Sequence, residues 1–276
     1  MAIKVIIMDI DGTLVNDEKV ITPLTKETLL KAQDKGVRLV LASGRPTSGL
    51  LKLAEELDME NHHGLFVCFN GSKVVDCQSH ETLYNHAISV EDSKAVLEHF
   101  KARPMFDKDE YMYVNDVFDN TITYKGKPFN VMQYESRGNN YILCEKRDLA
   151  AFVDFEINKI LTFGDPDYLQ AHYKEMMEPF KDRLNCMFTS DFYFEYTAKG
   201  VDKAKALDSV LIPMGYKKEE MMAFGDAQND KSMVEYVGLG VAMGNASDEL
   251  KAVANEITDT NNNDGIAKAI MKHIEL

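Results

Sequence analysis

The fold is decided by Val5-Ile6-Ile7-Met8-Asp9-Ile10-Asp11-Gly12-Thr13. Four consecutive apolar residues read as a strand covered on both faces, as in a parallel sheet flanked by helices. At its exit stand two aspartates two positions apart. Unit charges about 4 Å apart repel by about 4 kcal/mol at an effective dielectric near 20. The strand therefore asks for something positive between them, and the rest of the chain has to supply it.

At 276 residues the chain can hold one large or two ordinary domains with a proper core. Its 45% hydrophobic and 28% charged residues are those of a soluble globular protein. A net charge of -14 and a pI near 5.0 argue against a general binder of nucleic acid or anionic membrane. They leave room for a phosphorylated substrate, because a local metal site outvotes the global field. Cys68, Cys77, Cys144 and Cys186 form no CxxC pair, which points to reduced thiols in a cytosolic setting rather than a disulfide framework or a zinc site. His62-His63 reads as a wet loop. Asp9 and Asp11 break the opening apolar run too early for a signal peptide, and no apolar segment reaches the roughly 18 residues of a membrane span. A cytoplasmic monomer or small homo-oligomer with no nucleic-acid or membrane partner is expected.

Outward from the first strand, strand and helix alternate. Thr22-Pro23 starts a helix and Gly36 stops it. A second buried strand runs over Val37 to Ala42, "PTSGLLKLAEELDM" from Pro46 has a helical pattern, and "GLFVCFNGS" gives a third strand ending at Asn70-Gly71. Strands spaced by helices of this length mean βαβ units and a parallel sheet. The texture returns late, with "MMAFGDAQND", "VGLGVAMGN", a helix over "ASDELKAVAN", a short strand near Ile257 and a last helix from Gly265. Between about Tyr84 and Tyr196 aromatic residues are dense and the order less regular. This predicts an α/β protein: a parallel-sheet core over 1–84 and 197–276, divided by an inserted α+β domain over 85–196.

Four of the predicted core strands end in polar residues, at Asp9/Asp11, Ser43, Asn70 and Asp226. Carboxyl ends of parallel strands share one sheet edge, where open α/β sheets bind ligands. Any one polar strand end could simply meet solvent, but four with this chemistry argue for a site. Asp9, Asp11 and Asp226 packed beside an anionic phosphate need a cation, and all-oxygen donors fit Mg²⁺ rather than zinc or copper. Glycine beside a hydroxyl residue in "DGT" and "SGR" lets backbone N–H groups approach an anion, with Ser43 and Gly44 as candidates. Lys203 stands near a helix start, where a cation opposes the helix dipole yet suits a phosphoryl group. Alternatively Lys199, Lys203 and Lys205 form a solvated face.

"DIDGT" at 9–13, "LASGR" at 41–45, "KGVDK" at 199–203 and "GDAQND" at 225–230 resemble, in order, the four motifs of the haloacid dehalogenase-like hydrolases. The wide gap holding the insertion resembles the Cof-type phosphatases with a large α+β cap, and "FNGS" and "NNNDGIAKAI" are in the same style. The resemblance implies a Rossmann-like core and a Mg²⁺-dependent phosphatase acting through an aspartyl-phosphate. Carried over by position, it makes Asp9 the nucleophile and Asp11 the general acid, whose backbone carbonyl also reaches the metal. Ser43 becomes the phosphate-binding hydroxyl, Lys203 the cation holding nucleophile and phosphate, and Asp226 the second metal carboxylate. Asn229 resembles a phosphate-contacting position, Asp230 a support for Lys203 or the metal's waters, and Asn70 a supporting residue. Acid at position 11 favours ester hydrolysis over ion-pump chemistry.

The cap is less readable. Tyr111, Tyr113, Tyr124, Tyr134 and Arg137 are candidate substrate contacts, although aromatics in a strand-rich insertion are more often core. Ser136 to Asn140 reads as a substrate loop or a hairpin turn. The resemblance implies a small phosphorylated metabolite such as a sugar phosphate, nucleotide or cofactor phosphate. Two rivals stand beside hydrolysis: a sugar phosphotransferase or phosphomutase, which shares the opening motif, and a non-enzymatic Mg²⁺- or phosphate-sensing module.

Overall fold

The computed structural model describes residues 2–99 and 102–276. The chain divides into two compact units, one of residues 1–44, 50–84 and 202–276, the other of 45–49 and 85–201. The boundary expected at 196/197 falls inside a strand, Tyr193–Ala198, which pairs along its length within the second unit. The first unit's last segment accordingly starts at Asp202.

The first unit is built on an eight-stranded sheet in the order Glu256–Ile257, Leu239–Ala242, Met221–Gly225, Val5–Met8, Arg38–Ala42, Leu65–Cys68, Lys73–Asp76 and Thr82–Asn85. From Glu256–Ile257 through Leu65–Cys68 every pairing is parallel, and Lys73–Asp76 turns back antiparallel. The opening strand is buried throughout, and its side chains divide between two cores as the two-residue period requires. Ile6 and Met8 pack with Leu29, Leu250 and Ile266 on one face, and Val5 and Ile7 with Leu207, Leu211 and Met233 on the other. This is the Rossmann-like α/β architecture, with helices on both faces of a mostly parallel sheet. Thr22 is extended and Pro23 opens the helix Pro23–Asp34, where a missing N–H costs nothing.

Two helical segments are shorter than the sequence pattern predicts. The stretch from Pro46 forms a 3₁₀ turn over Thr47–Gly49 and then a helix over Leu51–Glu56 only. "ASDELKAVAN" keeps a helix over Asp248–Lys251, capped by the Ser247 hydroxyl.

The second unit holds a six-stranded sheet in the order Ile142–Glu145, Tyr111–Val114, Arg103–Lys108, Lys159–Phe163, Tyr193–Ala198 and Leu184–Ser190, antiparallel except at its first pair. A hairpin of Thr121–Tyr124 and Lys127–Asn130 accompanies it. Tyr113 packs on Phe152 and Tyr124 on Phe192, each with ring centroids 4.8 Å apart, so both serve packing. Tyr134 is exposed. Ser136 to Asn140 is neither a substrate loop nor a hairpin turn: it is the end of the helix Val131–Asn139, closed by Asn140 in the left-handed conformation. Among the described residues no helix is long and apolar enough to cross a membrane, and none of the four cysteines is in a disulfide.

Candidate active site

The parallel pairing brings the ends of four strands to one edge, and with them Asp9, Ser43, Asn70 and Asp226. Asp9 follows the central strand, between Met221–Gly225 on one side and Arg38–Ala42 on the other, where the chain order reverses. Its N–H donates to the Phe224 carbonyl at 3.1 Å, which continues the ladder one residue past the strand.

Lys203 is the first residue of the helix Lys203–Leu211, with Asp202 as N-cap accepting from the Lys205 N–H at 3.0 Å. It belongs to no solvated face. Its side chain is fully buried, and Nζ donates to Asp9 Oδ1 at 2.7 Å, Asp230 Oδ1 at 2.6 Å and the Ala42 carbonyl at 2.8 Å. Burial works against the charge on Lys203, but Asp9 and Asp230 outweigh it and hold the ammonium above its ordinary pKa. The positive group demanded by the opening strand is thus partly protein. It is a single charge facing two carboxylates, with Asp226 close by, so the cluster stays negative.

That deficit appears on Asp9, whose pKa burial pushes up to about 7; Lys203 pulls it down, and Asp230 and Asp226 push it up. Asp226 is raised too, first by burial, against a hydrogen bond from Thr13 Oγ1 to its Oδ1 at 2.9 Å. Asp9, Asp226 and Asp230 each offer a carboxylate oxygen within 4.8 Å of the others. Asp230, however, is spent: Oδ1 takes Lys203, and Oδ2 accepts the N–H groups of Asp226 and Ala227, both at 3.1 Å. It supports Lys203 and the Asp226 turn. The oxygens without a donor among the described residues are Oδ2 of Asp9 and Oδ2 of Asp226. Hard, anionic and all oxygen, they fit a small divalent cation. Gly12 lies against this pair: at its φ of +84° a β-carbon would stand 2.4 Å from Asp226 Oδ2, so only glycine leaves that carboxylate in place.

Asp11 is the exception. Its carboxylate stands outside the cluster of three, 43% exposed, and pairs with Lys19 at 2.9 Å. Ser43 is buried, and its carbonyl accepts the N–H of Asn70 at 2.9 Å. Asn229 is exposed and donates from Nδ2 to Asn70 Oδ1 at 3.1 Å. Sequence reasoning missed Thr13 as the orienter of Asp226, Lys19 as the partner of Asp11, and Asn245, whose Nδ2 donates to the Gly12 carbonyl at 2.7 Å. Thr13 was readable, since "DGT" places a hydroxyl two residues beyond Asp11; nothing local marked Asn245, which is 233 residues from its partner.

A protein-family model described as haloacid dehalogenase-like hydrolase matches residues 6–270, and so spans the whole strand-end cluster. The chain belongs to the haloacid dehalogenase-like hydrolases. Among relatives of this family, it is 32% identical over 270 residues to the 5-amino-6-(5-phospho-D-ribitylamino)uracil phosphatase YcsE of Bacillus subtilis, covering 97% of this chain and 94% of that one. It is 28% identical over 279 residues to the pyridoxal phosphate phosphatase YbhA of Escherichia coli, covering 99% and 100%. A solved haloacid dehalogenase-like hydrolase from Bacteroides thetaiotaomicron superposes with a TM-score of 0.90 at 32% identity, over 99% of this chain and 100% of that one. This chain is an enzyme of that family, a phosphoric monoester hydrolase.

A divalent cation is therefore expected to stabilise the fold. At a concentration about 100 times its Kd the gain is about 2.7 kcal/mol, or a rise in Tm of roughly 5–10 °C for a chain of this size. The gain should shrink between pH 7.5 and 5.5, because the cation must displace a proton from Asp9, whose pKa lies at about 7. The metal-free protein runs the other way: a carboxyl raised on folding contributes its full stability below its unfolded value of 3.8 and loses it as pH climbs through about 7. Thermal melts with and without EDTA across that range read both trends, and a metal-induced shift independent of pH would contradict them.

Proposed function

We propose that the chain is a Mg²⁺-dependent phosphatase that hydrolyses a small phosphorylated metabolite through an aspartyl-phosphate on Asp9. The observation that carries this reading is the buried Lys203, which holds one oxygen of Asp9 and leaves the other without a donor among the described residues. A carboxylate fixed by one oxygen and open at the other is a nucleophile poised for in-line attack.

In the first step a carboxylate oxygen of Asp9 attacks phosphorus, the ester oxygen departs as an alcohol with a proton from Asp11, and phosphate is left on Asp9. In the second, water gives a proton to Asp11 and its oxygen to phosphorus, which releases inorganic phosphate and restores Asp9. Acid–base help of this kind contributes about 10² to 10⁴ in rate. Asp11 has to part from Lys19 to deliver it. Lys203 screens the nucleophile and the phosphoryl oxygens throughout, which is most of what phosphoryl transfer asks of a protein. The carboxylates of Asp9 and Asp226 and the carbonyl of Asp11 would hold Mg²⁺, which when bound supplies the remaining positive charge. Asp230 keeps Lys203 charged and aimed, and Ser43, Gly44 and Asn229 receive the phosphoryl group.

Two relatives of similar identity are named for a phosphorylated ribitylaminouracil and for pyridoxal phosphate, whose leaving groups differ widely. The class supported here is accordingly a small phosphorylated metabolite: a sugar phosphate, a nucleotide or a cofactor phosphate. The second unit acts as a cap that selects among them, and neither nucleic acid nor membrane takes part. Phosphate release from a panel of these compounds, with Mg²⁺ or with EDTA, tests the reading. We expect release that requires Mg²⁺. Phosphate moving between hydroxyls without release would overturn hydrolysis in favour of transfer.

A further inference from the structure

The strand Leu65–Cys68 leaves its sheet in an unusual way. Phe69 and Asn70, the next two residues, both have positive φ, 51° and 56°. A left-handed backbone costs a non-glycine residue on the order of 1–3 kcal/mol and persists only where the surroundings enforce it. Asparagine tolerates this region better than most side chains, but phenylalanine does not. Phe69 is held there by burial in the core beside the opening strand. Gly71 follows at φ +101°, pressed so closely on the start of the Lys203 helix that a β-carbon would lie 2.3 Å from the Asp202 carbonyl oxygen and 2.8 Å from the Lys203 nitrogen. The turn is jammed against the element that delivers Lys203.

The outcome of that strain is the placement of the Asn70 side chain. Its backbone N–H is tied to the Ser43 carbonyl at 2.9 Å, and its Oδ1 accepts from Asn229 Nδ2 at 3.1 Å. Its amide lies flat over Gly44, where a β-carbon would stand 3.1 Å from Asn70 Nδ2. One residue therefore touches both segments expected to receive the phosphoryl group. Because Asn229 occupies the oxygen, the nitrogen is the free end; among the described residues it donates to no protein atom. A half-buried amide donor packed on the backbone of Gly44, with its oxygen already satisfied, is suited to an oxyanion.

We propose that Asn70 contacts the phosphoryl group directly, its Nδ2 donating to an oxygen bound between Gly44 and Asn229, and that the strained turn exists to aim it. This deepens the phosphatase reading and rests on it. A purely structural Asn70 would instead serve to hold the turn, and the two roles separate in Asn70→Gly. Glycine adopts a φ of 56° without penalty, so the variant should melt at or above the wild-type temperature. A hydrogen bond to a charged group is worth about tenfold to a hundredfold in binding. We expect Asn70→Gly to raise the inhibition constant of inorganic phosphate and lower kcat/KM by about that factor, while the Mg²⁺ concentration for half-maximal activity stays within about twofold of wild type. Asn70→Asp keeps the shape and the acceptor for Asn229 but turns the donor into an anion, and should bind phosphate more weakly still.

Wild-type inhibition by phosphate in an Asn70→Gly protein of undiminished Tm would overturn the assignment. So would losses of Tm and of phosphate affinity that move together, since those mark a structural role. A wild-type enzyme that releases no phosphate and is not inhibited by it would overturn the phosphatase reading itself, and the assignment with it.

Discussion

Replacing Asp9 by asparagine is expected to leave a folded protein that releases phosphate at least about 10⁴-fold more slowly, the order seen when a covalent nucleophile is removed. The isosteric amide keeps an oxygen for Lys203, which still has Asp230 and the Ala42 carbonyl. Stability should not fall at pH 8, because burial pushes the Asp9 pKa up to about 7 and an ionised carboxyl there opposes folding. The sign is definite: a neutral amide removes a cost present above about 7 and absent at pH 5, where Asp9 already carries a proton. Relative to wild type, Asp9→Asn should thus look better at pH 8 than at pH 5. It should also lose most of the stabilisation by divalent cation, since one of two available carboxylate oxygens is gone. Measured together, phosphate release and melting with and without Mg²⁺ separate a nucleophile from a structural acid. Residual turnover within about tenfold of wild type would mean that another group attacks phosphorus.

The core was legible because its signals are local and two-sided. Val5 to Met8 has to be a strand buried on both faces, and the chemistry at Asp9, Ser43, Asn70 and Asp226 becomes a site only if those strands are parallel, as they are. What stayed hidden depends on contacts across long sequence separations. Asp230 reads as one more acid in "GDAQND", but its burial under Lys203, with both oxygens occupied, follows from packing and removes it from the cation's reach. Asp11 stands two residues after Asp9, yet its side chain turns to Lys19 on a loop that no spacing rule anticipates. In the second unit, the helical pattern from Pro46 is cut short around Gly49, where the Asn139 side chain packs so close that a β-carbon would meet it at 2.7 Å. The polar run Ser136 to Asn140 resembles a turn in composition; it closes a helix because Asn140 supplies the left-handed residue that a helix end needs.

Lys203→Met carries the largest expected effect on stability, and it separates the structural from the chemical role of the lysine. The methionine has nearly the volume of the lysine stem, so packing in the fully buried site is little changed. What disappears is the only cation among the described residues that contacts Asp9 and Asp230, whose side chains are 9% and 0% exposed. Stripping one partner from a buried ion pair leaves an uncompensated charge and costs about 3–5 kcal/mol, or about 6–20 °C in Tm at this chain length. Lysine raised on folding contributes its stability fully below its unfolded pKa of 10.5, so the whole loss is present at pH 7.5. It should shrink towards pH 5: without Lys203 the Asp9 carboxyl loses the contact that pulls its pKa down and takes up a proton more readily. Added Mg²⁺ should recover part of the stability by placing charge back against Asp9, but not the activity. Phosphate release is expected to fall by about 10² to 10³ even with metal saturating, the cost of removing one preorganised charge from the transition state. Lys203→Arg, which keeps the charge in a bulkier form, should recover more of the Tm than of the rate. A Lys203→Met protein as stable as wild type at pH 7.5 would mean that the lysine is not what holds the site together.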